Sequence, residues 1–137
     1  MRESYVLDAC ALVALLKKEE GSNIVADIYR KTIEGDVKLY INRITLMEVY
    51  YGFYRNNGGD YARNIVDNVE FSPIIISDVD TNLLLEAGRL KAIYRISMAD
   101  SVVLAQAFVL DGYVLTSDHS KFDAIEGYEK IKFDWIR

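Results

Sequence analysis

The sequence predicts an α/β fold in which a mainly parallel sheet is covered on both faces by helices. Short β-prone apolar runs alternate along the chain with longer segments of helical apolar spacing, as right-handed βαβ units require. The 137 residues are 51% hydrophobic and 27% charged, which suits one buried core. No linker, repeat or low-complexity stretch divides them, so residues 1–137 read as a single domain.

The first strand is expected at residues 3–8. It feeds a helix through Ala11, Leu12, Leu15 and Leu16 that ends near the Lys17–Glu20 charge run and Gly21. Asp8 therefore falls at a strand-to-helix joint, where open α/β sheets place their chemistry. Ser22 reads as the N-cap of a second helix through Ile24, Val25, Ile28 and Tyr29, with Gly35 as its stop. Lys38–Ile41 is β-prone and is expected beside the first strand. Thr45-x-x-Glu48 then has capping-box spacing, which puts Glu48 in the first turn of a helix.

Asn56–Gly59 reads as a turn before a helix through Tyr61, Ile65, Val66 and Val69. Pro73–Ile76 is a buried-type strand with proline at its permitted first position. From Asp78 a helix runs through Leu83, Leu84, Ala87, Leu90 and Ile93. Ser97 and Asp100 have capping-like spacing at the start of the next helix, whose expected apolar face is Val103, Leu104, Ala107 and Phe108. Gly112 closes it. Tyr113–Thr116 is a strand with Ser117 and Asp118 at its carboxyl end, and 130–133 alternates like an edge strand.

Composition narrows the function. No apolar run approaches the roughly 18 residues of a membrane span, and the N-terminus reads as a strand rather than a signal peptide, so a cytoplasmic protein is expected. The single Cys10 excludes an intrachain disulfide and reads as a buried structural thiol. The single His119 reads as a surface loop residue and supports no zinc site. A net charge of −5 is wrong for binding nucleic acid through a basic surface, so such a partner needs an intervening cation.

Asp8, Glu48, Asp100 and Asp118 all fall on the same edge of a parallel sheet. Each has a bland explanation as a helix cap, Glu48 with Thr45 and Asp100 with Ser97. Together they repel one another and cost stability, which a divalent cation relieves. Oxygen ligands without histidine or cysteine suit Mg²⁺ or Mn²⁺.

The order of Asp8 after the first strand, Glu48 in Thr-Leu-Met-Glu-Val, Asp100 in Ser-Met-Ala-Asp-Ser, and Thr-Ser-Asp at 116–118 resembles the PIN-domain ribonucleases. Within these it is most similar to the VapC-type toxins of toxin-antitoxin pairs, over nearly the whole chain. The resemblance implies a three-layer sandwich with about five parallel strands. It also implies a metal-dependent endoribonuclease, an antitoxin partner and a homodimer. Asp8, Glu48, Asp100 and Asp118 fall on the family's acidic positions and Thr116 on its frequent hydroxyl. Asp8 and Asp100 are assigned to the principal ion, with Glu48 and Asp118 at a second ion or positioning water.

Two departures stand out. Ala9 occupies a position where many relatives carry a hydroxyl. The spacer after Asp118 is a residue longer than usual, which leaves Asp123 as an outer-sphere candidate. Arg43, Arg95 and Lys121 lie near the same edge and could hold flanking RNA phosphates, or could be solvated charge. Tyr50, Tyr51, Phe53 and Tyr54 span more than one helix face, so one or two pack inside. The rest could stack on bases or form the homodimer contact that the resemblance favours. Competing readings are a PIN-type nuclease of RNA maturation, a receiver-like phosphoacceptor, and a non-catalytic interaction module. A receiver needs an acidic pair after its first strand and an aspartate after a central one, whereas Asp8 has no acidic neighbour and the third strand ends in Ser77.

Overall fold

The computed structural model describes residues 2–137. Five strands and seven helices follow in the order β1 (Glu3–Leu7), α1 (Ala9–Lys17), α2 (Ser22–Ile33), β2 (Val37–Asn42), α3 (Arg43–Asn57), α4 (Gly59–Phe71), β3 (Ile75–Ser77), α5 (Thr81–Ile93), α6 (Met98–Leu110), β4 (Tyr113–Thr116), α7 (His119–Glu126) and β5 (Lys132–Trp135). The sheet has strand order β3-β2-β1-β4-β5, and every neighbouring pair is parallel. Tyr5 lies opposite Leu39 on one side and Tyr113 on the other. The three-layer α/β sandwich is the expected one, with β5 at an edge.

Alternate side chains of the central strands feed two cores, as the period of two requires. Tyr5 and Leu7 pack with Leu39, Ile41 and Leu115 under residues of α1–α4. Val6 and Val114 pack on the opposite face with residues of α5, α6 and α7. Strands buried on both faces need no polar alternation, which is why their sequences read as short continuous apolar runs. Among the described residues no helix is long and apolar enough to cross a membrane.

Several local expectations are corrected. Gly21, not Ser22, caps α2. Its φ is +92°, and a Cβ there would lie 2.5 Å from the Ile136 carbonyl oxygen, so backbone approach decides this cap. The expected turn at 56–59 contracts to Gly58 between α3 and α4. Pro73 precedes the third strand instead of opening it. α5 begins at Thr81 rather than at Asp78, with Asp80 as its cap, accepting from the Leu83 amide at 2.9 Å. Asp111, in left-handed conformation, is the C-cap of α6, and Gly112 follows it where a Cβ would lie 2.7 Å from the Ser4 carbonyl oxygen.

α6 is buried on all sides from Asp100 to Ala107, whereas Phe108, Leu84 and Ile93 remain exposed. α7 was not expected, because its eight residues carry only Phe122 and Ile125 as buried anchors. The last strand lies two residues later than its alternation suggests, at Lys132–Trp135.

Candidate active site

β1 and β4 are neighbours, but the chain leaves their carboxyl ends toward opposite sides of the sheet. This is the switch point where an α/β sheet opens a crevice. Asp8 stands in it. Its backbone N–H continues the ladder to the Leu115 carbonyl at 3.1 Å, and its carboxylate caps α1 by accepting from the Ala9 amide at 2.9 Å. The capping reading is therefore correct for Asp8, and it is incomplete. Thr116 Oγ1 donates to the other carboxylate oxygen at 2.8 Å, and Cys10 Sγ lies 3.4 Å from that same oxygen. Burial raises the Asp8 pKa, against the bonds from Thr116, Cys10 and Ala9, and the Asp100 charge raises it further.

Glu48 differs from its expected position. Asn42 ends β2 and accepts from the Ile44 amide at 2.9 Å, so α3 starts before Thr45 and Glu48 lies in its second turn. No capping box forms, and the buried Thr45 hydroxyl has no protein partner among the described residues. That removes the bland explanation of Glu48. Its carboxyl is half-buried and its pKa is pushed up to about 7, first by burial and then by the charges of Asp8 and Asp100, against Lys121.

Asp100 is buried in the first turn of α6, where its amide donates to the Ser97 hydroxyl at 3.0 Å. The cap is thus made by Ser97, and the Asp100 carboxylate faces Lys121 Nζ at 3.6 Å. Asp118 begins α7 without a side-chain bond to its backbone, and one oxygen lies 3.3 Å from the same ammonium. Its amide donates to Thr116 Oγ1 at 3.0 Å, which makes Thr116 the bridge between Asp8 and Asp118. Burial lowers the Lys121 pKa, but Asp100, Asp118 and Asp8 outweigh it and raise the pKa overall.

The remaining candidates are dispersed. Arg43 pairs with Asp78 at 2.6 Å on an exposed surface, and Arg95 is exposed between α5 and α6. His119 is the first residue of α7 rather than a loop residue. Its ring stacks on Trp135 at 3.8 Å and its nitrogens meet Asp123 Oδ1 at 2.7 Å and the Arg137 carbonyl at 2.9 Å. Asp123 is thereby occupied with His119. Phe53 is buried and Tyr50 packs at the core's margin, while Tyr51 and Tyr54 are about half exposed.

Cys10 is a correction. It is half-buried at the acids instead of deep in the core, 3.3 Å from Thr116 Oγ1. Its position two residues after Asp8, within the first turn of α1, was the signal in the sequence. Burial and the Asp8 charge raise its pKa, so it remains a thiol at neutral pH.

A divalent cation fits this donor set. The acids supply hard oxygen atoms only, burial lifts Glu48 and Asp8 with the charges of neighbouring acids adding to it, and an ammonium has been drawn between Asp100 and Asp118. Among the described residues no three histidine, cysteine or carboxylate side chains could enclose an ion by themselves. The arrangement suits an ion that keeps much of its water and takes one or two carboxylates.

The PIN domain family model matches residues 5–128. The chain is also similar to solved structures. A DNA-bound VapBC from Salmonella typhimurium is 21% identical, with 100% of both chains covered and a TM-score of 0.77. VapBC2 from Rickettsia felis, bound to a promoter DNA fragment, is 15% identical over 96% of this chain and 98% of that one, with a TM-score of 0.77. Mycobacterium tuberculosis VapC20, a sarcin-ricin loop cleaving toxin, is 13% identical over 93% and 98%, with a TM-score of 0.64. No curated protein sequence matches. With the family model covering most of the chain and the parallel sheet bringing the acids to one crevice, this protein belongs to the PIN domain family.

Proposed function

We propose that the protein is a metal-dependent endoribonuclease acting in the cytoplasm as the toxin of a toxin-antitoxin pair. The observation that carries this reading is the electrostatic coupling of Asp8, Glu48 and Asp100 at the switch point, which a stability-selected fold has no reason to assemble. The similarity to toxin-antitoxin complexes and to a sarcin-ricin loop cleaving toxin supports RNA as substrate and an antitoxin as partner.

Asp8 and Asp100 would hold the principal Mg²⁺ or Mn²⁺, with Asp118 and Glu48 contributing to a second ion or to ordered water. The bound ion supplies charge stabilisation at the phosphate and eases deprotonation of the attacking water. Thr116 and the Ala9 amide fix both oxygens of Asp8, so that ligand is oriented before substrate arrives. Glu48, half-buried beside Asp8 and Asp100, can take a proton from the attacking water as the water oxygen bonds to phosphorus and the bond to the leaving oxygen breaks, the leaving oxyanion then taking a proton from solvent. Lys121, between Asp100 and Asp118, can turn to a flanking phosphate once a metal neutralises those acids. Arg43 and Arg95 would reach phosphates farther along. The exposure of Tyr51 and Tyr54 on α3, with Tyr50 beside them, supports a homodimer contact there.

The test is cleavage of mixed RNAs by purified protein in EDTA, Mg²⁺ or Mn²⁺, with Asp8→Asn and Asp100→Asn alongside. Cutting is expected only with metal and only in the wild type. Undiminished cutting by both variants overturns the site, and harmless expression of an active protein without a partner overturns the toxin role.

A further inference from the structure

A cavity of about 220 Å³ opens directly beside the acids. Cys10 and Glu48 both line it, and Cys10 lies 3.4 Å from an Asp8 oxygen, so the cavity adjoins the acids. Its apolar wall is Val13, Val49 and Phe53, and Asn56 and Glu19 give it hydrogen-bonding groups. The volume is below the roughly 300 Å³ of a drug-sized ligand site and suits one planar ring system.

Two cations also face the cavity. Lys17 Nζ lies 5.6 Å from the centroid of the Phe53 ring, and Arg137 donates only to the Glu20 carbonyl, at 3.5 Å. Among the described residues neither is paired with a carboxylate. Cations left unpaired next to an acidic centre suit an anionic ligand that crosses from one to the other.

Gly52 is the most informative lining residue. A glycine inside a helix lowers its stability relative to alanine, so its presence in α3 needs a reason. It does not have a positive φ, and a Cβ built on it meets no heavy atom within 4 Å. Neither backbone conformation nor packing requires a glycine. What a larger residue would change is the cavity, because Gly52 lines it.

We propose that this cavity is a base-reading subsite, which receives the base of one single-stranded RNA nucleotide next to the scissile phosphate while Lys17 and Arg137 hold neighbouring phosphates. Val13, Val49 and Phe53 supply apolar contact to the ring, and Asn56 and Glu19 read its edge. The inference rests on the ribonuclease reading and adds to it a position at which sequence is discriminated.

The experiment uses the full chain with Gly52→Leu, which fills the cavity, and Asn56→Ala, which removes an exposed edge-reading group. Cleavage sites are mapped on a randomised single-stranded RNA pool with Mn²⁺, and binding of short fluorescent RNAs is measured with Ca²⁺ in place of Mn²⁺. Wild type is expected to favour one base at a single position beside the cut. Gly52→Leu should lose about tenfold in binding and in cleavage at the favoured sites, and Asn56→Ala should relax the base preference. Asn56→Ala should melt as wild type does and Gly52→Leu at or slightly above it, since a helical glycine is replaced, while the Mn²⁺-induced rise in melting stays at the wild-type value in both, which separates a lost subsite from a damaged fold or metal centre. If Gly52→Leu melts early, Asn56→Ala carries the comparison alone. A wild type that binds and cuts RNA, with variants that do so at the same sites and strengths, overturns the subsite and leaves the nuclease reading intact. A wild type that neither binds nor cuts RNA overturns both.

Discussion

Thr116 Oγ1 donates a 2.8 Å hydrogen bond to Asp8 Oδ2 across 108 residues of sequence, and both groups are buried. This bond fixes the end of β4 to the end of β1 at the point where the two connections diverge. Thr116→Val keeps the shape and removes the donor, so Asp8 is left with the Ala9 amide and the weak thiol. The expected cost is about 1–3 kcal/mol by denaturant unfolding, together with a large loss of RNA cleavage. Unchanged stability and cleavage would show that the bond matters to neither.

Glu48 provides a pH test. Its folded pKa of about 7 lies above the ordinary value of 4.5, so the folded state binds its proton more tightly than the unfolded state. The destabilisation is present above pH 7 and fades as pH falls through 7 toward 4.5. Metal-free protein should therefore gain stability from about pH 8 to about pH 5, before other groups denature it. Glu48→Gln should be more stable than wild type by about 2 kcal/mol at pH 8 in EDTA, a figure discounted for solvent screening of a half-buried group, and the difference should close near pH 5. A constant difference across that range would mean that Glu48 does not titrate there.

Lys121 is the cation that faces the acids. Its removal in Lys121→Met leaves Asp100 and Asp118 without their ammonium, so the metal-free protein should lose about 1 kcal/mol or less, given that Lys121 is about half exposed. Millimolar Mn²⁺ should then raise the variant's melting temperature more than the wild type's, because ligand binding stabilises the state that holds the site and no longer competes with the lysine. Calorimetric titration with Mn²⁺ checks the same point as tighter binding.

Asp100→Asn separates cluster from cap. The amide keeps the volume of the side chain, and the Ser97 cap is untouched because Asp100 contributes only its backbone N–H to it. The expected result is a protein that folds, shows a smaller Mn²⁺-induced rise in melting temperature and does not cut RNA. A variant that responds to Mn²⁺ as the wild type does would remove Asp100 from the metal site.

Gly21→Ala tests the fold away from the acids. Its φ of +92° and the 2.5 Å approach of a Cβ to the Ile136 carbonyl predict a loss of about 2 kcal/mol or more. Thermal melting of the variant is the check, and a neutral result would mean that the junction between α2 and the chain after β5 can shift.

The order of strands and helices apart from α7, the parallel sheet and the placement of Asp8 and Asp100 could be read along the chain. These features depend on apolar period and on short-range capping, and both are written in consecutive residues. Glu48 shows where that reading stops. Thr45-x-x-Glu48 has capping spacing, yet Asn42 takes the cap, and only the end of β2 in three dimensions decides which of two capable residues starts the helix. Gly21 and Gly112 likewise answer to Ile136 and Ser4, which are remote in sequence. Cys10 and Lys121 reach the acids because β1 lies beside β4 and α7 turns its first residues back over α6, and the cavity at Gly52 is bounded by α1, α3 and Arg137 together. Spacing along a chain specifies which face of an element a residue occupies. Distances between charges, the pKa values they set and the space left for a ligand arise only when faces from different elements pack against each other.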